Sequence, residues 1–139
     1  MRFKSFIFPK DLNIILVIPF KIAYFRRLVN RKGFNYLISG FEGNHFTLDA
    51  DSIFIEKLNK YYKATTFFLI KVFKDPNPCM IRSLILYQLC GKNSVKASLV
   101  TGVNKIKGVL SGHSWIVING EPFNENKSFV SSFTVISEV

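Results

Sequence analysis

The sequence predicts an α+β protein in which a helical N-terminal part is followed by a Cys-bearing helix packed on an antiparallel sheet. Three observations carry that prediction. Apolar residues recur at helical spacings through the first half of the chain and again after Cys79. From Val95 onward the period moves towards two. Asn119-Gly120 then sits between two alternating runs, which is the signature of a tight hairpin. Helices first and strands afterwards exclude the alternating βαβ pattern of a parallel sheet.

Between residues 3 and 37, basic residues interleave the apolar ones and Pro9, Pro19 and Gly33 punctuate the run, predicting short basic helices. A loop over 40–45 leads to Asp49 or Asp51 as a helix cap, followed by a stripe of Ile53, Ile55, Leu58, Tyr61 and Tyr62. The apolar run 65–73 fits helix or strand, and Asp75-Pro76-Asn77-Pro78 breaks the chain. Met80, Leu84 and Tyr87, with Ile81, Ile85 and Leu89 beside them, predict a buried helix that begins near Cys79 and stops at Gly91. Strands are expected over 95–103, 113–119, 121–124 and 129–136. At 139 residues the chain suits one domain over 1–139, with 1–74 mainly helical and 75–139 holding the Cys helix and the sheet.

The hydrophobic fraction of 48% excludes a disordered chain. A formal net charge of +10 favours an acidic peptide, an anionic membrane surface or nucleic acid as partner. The charge is concentrated early, in Arg2, Lys4, Lys10, Lys21, Arg26, Arg27, Arg31 and Lys32, against Asp11 alone. The uncharged run 12–20 is shorter than the ~20 apolar residues that span a bilayer, and Asp11 interrupts any signal-like segment, so a cytoplasmic protein is expected. Cys79 and Cys90 lie on one helix roughly 16 Å apart at ~1.5 Å per residue, beyond the ~7 Å that a disulfide tolerates. Both are expected to be free thiols.

A thiol attacks only as thiolate, which the unpaired amides and dipole at a helix N-terminus favour, and the Pro78-Cys79 step places Cys79 there. His113, opening a strand, is the candidate base. Taken singly, a cysteine at a helix start packs, a histidine at a strand edge is satisfied locally, and Trp115 anchors a core. Their conjunction points to nucleophilic catalysis.

The segment 77–125 resembles the catalytic half of lasso-peptide leader peptidases, a branch of the transglutaminase-like superfamily. Cys79, Arg82-Ser83-Leu84, Gly102-Val103, His113-Ser114-Trp115-Ile116 and Asn119-Gly120 follow that family's motif in order, with Ser114 for the usual Ala. The resemblance implies a transglutaminase/papain-like core and a catalytic set of Cys79, His113 and, where the family has Asp, Glu125. Sheet geometry leaves Asn124 as the alternative third member. A two-residue turn pairs Trp115 with Asn124 and puts Asn124 on the face of His113, whereas a longer, bulged loop brings Glu125 there. Trp115 and Arg82 are the candidate substrate-binding residues, although Arg82 also suits a structural pairing with an acid such as Asp75. Ser83 is expected to pack or to bond back to its own helix.

The implied activity is a cysteine peptidase that removes the leader from a ribosomally made precursor by acyl transfer to water. Its implied partners are the precursor peptide, a separate leader-binding recognition protein and a macrolactam-forming synthetase. No metal or organic cofactor is indicated, since His45, His113 and two separated thiols form no ligand set. Three rivals stand beside this reading. They are a non-enzymatic basic protein binding a peptide or associating weakly with a membrane, a transamidase using the same residues, and a nucleic-acid binder, the last disfavoured because no recognition motif is present.

Overall fold

The computed structural model describes residues 12–41 and 47–139. The expected features at Arg2, Lys4, Pro9, Lys10, Asp11 and His45 lie outside the described residues. Helix α1 (Leu12–Lys32) runs unbroken through Pro19, where short helices were expected. Ile14, Ile18, Ile22 and Phe25 are buried along one side of it. At roughly 1.5–3 kcal/mol for each buried side chain, that stripe outweighs the ~3 kcal/mol of an interior proline. Gly33, at φ 84°, makes the left-handed turn into α2 (Phe34–Phe41).

Helix α3 (Ser52–Phe67) is capped by Asp51, whose Oδ1 accepts the Phe54 amide at 2.7 Å. Phe54, Leu58, Ala64, Thr65 and Thr66 are buried, and Ile55, Tyr61 and Tyr62 pack against the core as expected, whereas Ile53 points to solvent and Phe54 takes its place. The ambiguous run 65–73 is helical: α3 widens into a π-turn, Phe68–Val72, in which the Phe73 amide donates to the Phe68 carbonyl. Helix α4 (Cys79–Lys92) then begins with the nucleophile candidate. Buried residues surround it, Ile81, Leu84, Ile85, Leu86, Tyr87, Leu89 and Cys90 among them, as befits a helix covered on all sides. It packs against α1 and α3 on one side and the sheet on the other.

Strands β1 (Ser98–Ile106), β2 (Val109–Ile118), β3 (Glu121–Pro122) and β4 (Thr134–Glu138) form an antiparallel sheet in the order β3-β2-β1-β4. One face carries Leu99, Ile116 and Ile118 into the helical core; the other carries Val100 and Trp115 against Val130 and Phe133. Four strand expectations need correction. The strand expected over 113–119 begins at Val109 and ends at Ile118, so His113 lies within it and does not open it. Val95 makes only an isolated bridge to Leu48, and β1 starts at Ser98. The strand expected over 121–124 stops at Pro122. The segment 129–136 is not one strand but helix α5 (Lys127–Ser131) followed by β4, because Asn126 caps a helix by accepting the amides of Ser128 and Phe129.

Candidate active site

Cys79 is the first residue of α4, with Pro78 as N-cap. One turn later Ser83 Oγ donates to the Ser114 carbonyl at 2.9 Å, both residues being buried, so the start of α4 is tied to the middle of β2. Ser83 therefore bonds across to the sheet rather than back to its own helix. The tie brings the Cys79 thiol to the same cleft as His113 and Ser114, whose ring and amide favour its anion. On its other side, His113 Nε2 lies 2.9 Å from Glu125 Oε1. With Nε2 engaged by the carboxylate, Nδ1 is the nitrogen left for the thiol. The His113 and Glu125 side chains are only 14 and 11% exposed, which strengthens their attraction.

Glu125 arrives by a route that neither sequence alternative described. Asn119 and Gly120, at φ 53° and 78°, make a two-residue turn with Ile118 opposite Glu121 and Val117 opposite Pro122, and the Phe123 amide still reaches the Ile116 carbonyl. The ladder then ends, because Asn124 adopts φ 52° and swings the next residue out of strand register. Asn124 itself donates to Asn59 Oδ1 at 2.8 Å, away from the imidazole, and Glu125 takes the place beside His113.

Aromatic rings enclose the base. Trp115 stacks on His113 at 5.6 Å between centroids, while Phe129 and Phe133 lie at 5.2 and 5.5 Å. Both phenylalanines come from the α5 region that had been read as a strand. Gly102, directly opposite His113, permits this packing, since a Cβ there would lie 2.8 Å from Phe133 Cβ. Trp115 is 5% exposed and sits in the core behind the base, which corrects the expectation that it binds substrate. Arg82 stacks over the Tyr62 ring at 4.4 Å and donates to Thr66 Oγ1, joining α4 to α3 rather than pairing with Asp75.

The electrostatics favour a charged pair. Burial pushes the Cys79 thiol up, but the His113 and Ser114 hydrogen bonds and the charges of His113 and Arg82 outweigh it and hold the thiol below its usual range. Its interactions as donor with Cys79 and Glu125, opposed by burial and aided by both charges, raise His113 to about 9. Both shifts favour the thiolate and the imidazolium. The pair opens onto a cleft of about 450 Å³ whose lining includes Asn77, Met80, Leu110 and Gly112. Phe34 of α2 also lines it, a contribution of the N-terminal helices that their spacing did not announce.

A thiol at a helix start, a strand-borne imidazole and a carboxylate behind it form the arrangement that cysteine-dependent acyl transfer requires. The family model of the transglutaminase-like superfamily matches residues 55–138, and the chain belongs to that superfamily, whose members include cysteine proteases and transamidases. No curated protein and no solved structure matches the chain. Helices α1 and α2 precede the matched stretch.

Proposed function

We propose that the protein is a cytoplasmic cysteine peptidase that cuts the leader from a lasso-peptide precursor, with Cys79, His113 and Glu125 as its catalytic set. The observation that carries the reading is the convergence of Cys79 and His113 on one cleft, with Glu125 hydrogen-bonded to His113 at 2.9 Å. The choice of substrate rests on the resemblance of the segment 77–125 to leader peptidases. The Cys79 thiolate attacks the scissile carbonyl, the Cys79 amide at the start of α4 donates to the oxyanion, and His113 protonates the departing amine. Water then gives a proton to His113 and attacks the thioester, which returns the thiolate. Glu125 holds the His113 ring in place throughout and stabilises it whenever it carries a proton. A separate recognition protein presents the leader, and a synthetase closes the ring on the freed amine.

Mass spectrometry of a precursor incubated with this protein and its recognition partner provides the test. A leader-sized fragment formed by the wild type and absent with Cys79→Ala is the expected result. An intact precursor in both samples overturns the reading, and a product carrying an added amine in place of water assigns the site to transamidation.

A further inference from the structure

The outer side of α1 has no part in the site just described. Its buried positions, Ile14, Ile18, Ile22 and Phe25, face the other helices. On the opposite side Leu12, Leu16, Phe20 and Tyr24 recur every four residues and are 54, 58, 78 and 57% exposed. The line continues into Arg27 and Arg31, both exposed. Helix α1 holds no acidic residue. Around its C-terminal half Arg26, Arg27, Arg31, Asn30 and Phe73 border an open cavity of about 470 Å³. Among the described residues, no carboxylate lies within ion-pair distance of these three arginines.

The order of chemistry along this face limits what can cover it. Four large apolar side chains in water are unfavourable by their area alone, so a partner must supply an apolar medium beside Leu12 to Tyr24. The same partner must supply anions one helical turn further on, where guanidinium groups are matched to phosphate oxygens. A bilayer with anionic headgroups offers both in one plane, with Tyr24 at the level where amphipathic rings settle. No described helix is long and apolar enough to cross a membrane, so the contact is one that lies along the surface. The net charge of +10 adds a general attraction to such a surface.

We infer that the outer face of α1 docks the protein in the plane of an anionic lipid surface, with Leu12, Leu16, Phe20 and Tyr24 among the acyl chains and Arg27 and Arg31 on lipid phosphates. This surface is independent of the cysteine chemistry and stands whether or not the leader is the substrate. The basic residues that matter are thus Arg27 and Arg31 more than Lys21, whose Nζ is turned to Gln88 Oε1 at 2.9 Å.

The full chain is floated with vesicles of phosphatidylcholine alone and with vesicles carrying about a third phosphatidylglycerol, a surface that attracts basic segments. Flotation is expected with the anionic vesicles and little with the neutral ones. Arg27→Gln and Arg31→Gln should each weaken partition about fivefold, and Phe20→Ser should weaken it at least as much. All three positions are exposed, so circular dichroism and Cys79 alkylation should match the wild type. Absence of flotation, or flotation indifferent to all three substitutions, overturns the inference. Release of the vesicles by polyglutamate at matched ionic strength, with Phe20→Ser unaffected, also overturns it and assigns the face to an acidic polypeptide.

Discussion

Cys79 and Cys90 share one helix and have opposite chemistry. Burial raises Cys90 to about 12 and its side chain is inaccessible, whereas Cys79 meets an imidazole and an amide that favour its anion. Iodoacetamide at neutral pH should therefore label Cys79 alone, as read by peptide mass. His113→Ala removes the main groups that lower the thiol and should slow that labelling by about tenfold or more; unchanged labelling would mean that the thiolate is not held by His113. Glu125 acts one step further back. In the proposed reaction His113 protonates the departing amine, so the alkaline limb of kcat/KM is expected near the raised value of about 9. Glu125→Gln should move that limb to lower pH. Asn124→Ala should leave it in place, since Asn124 bonds to Asn59.

At the scale of elements, the site depends on how α4, β2 and α5 are fixed to one another. The Ser83 to Ser114 bond is the buried link between α4 and β2. Ser83→Ala is expected to lower stability by about 1–3 kcal/mol, read from the denaturant midpoint, with a larger loss of activity than Ser131→Ala, whose hydroxyl bonds only within α5. Gly102→Ala drives a methyl into Phe133 and should cost a similar ~1–3 kcal/mol by overpacking. What was legible in the sequence follows the same division. The Cys helix and the Asn119-Gly120 turn were readable because their signals are local: an apolar run all round, and two residues that accept positive φ. The third member of the site was open because it hangs on the left-handed turn of Asn124, which its contact with Asn59 on α3 supports. Helix α5 was missed because it is only five residues long and runs into Phe133, Thr134, Val135 and Ile136, whose types favour a strand, while the Asn126 cap and the aromatic packing on His113 decide for a helix.

For the whole molecule, helical and sheet halves share one core that runs from Ile14 to Phe123, with α4 at its centre. The sequence showed the helical half as broken at Pro19 because a proline is read locally, whereas burial of the α1 stripe against α3 and α4 is not. That shared core also lets the charged pair report on global stability. His113, raised from 6.5 to about 9, contributes stability that is full below 6.5 and lost as pH rises through about 9. Cys79, lowered from 9.0, contributes stability that is full above 9.0 and lost as pH falls through its folded value. Where the window of Cys79, from its folded value to 9.0, overlaps that of His113, from 6.5 to about 9, the two effects oppose each other, because folding moves a proton from thiol to imidazole without net uptake. Lys21, held at about 8 by burial and by Lys92, adds its own slope, which a Cys79→Ala comparison cancels. In that variant the remaining pull of Glu125 still raises His113, and nothing offsets its proton. The wild type should therefore gain on Cys79→Ala by roughly 1 kcal/mol per pH unit as pH rises from 6.5 towards the variant's own histidine value. Parallel profiles in denaturant titrations would mean that Cys79 does not change the proton balance of folding, and would overturn a lowered thiol beside a raised imidazole.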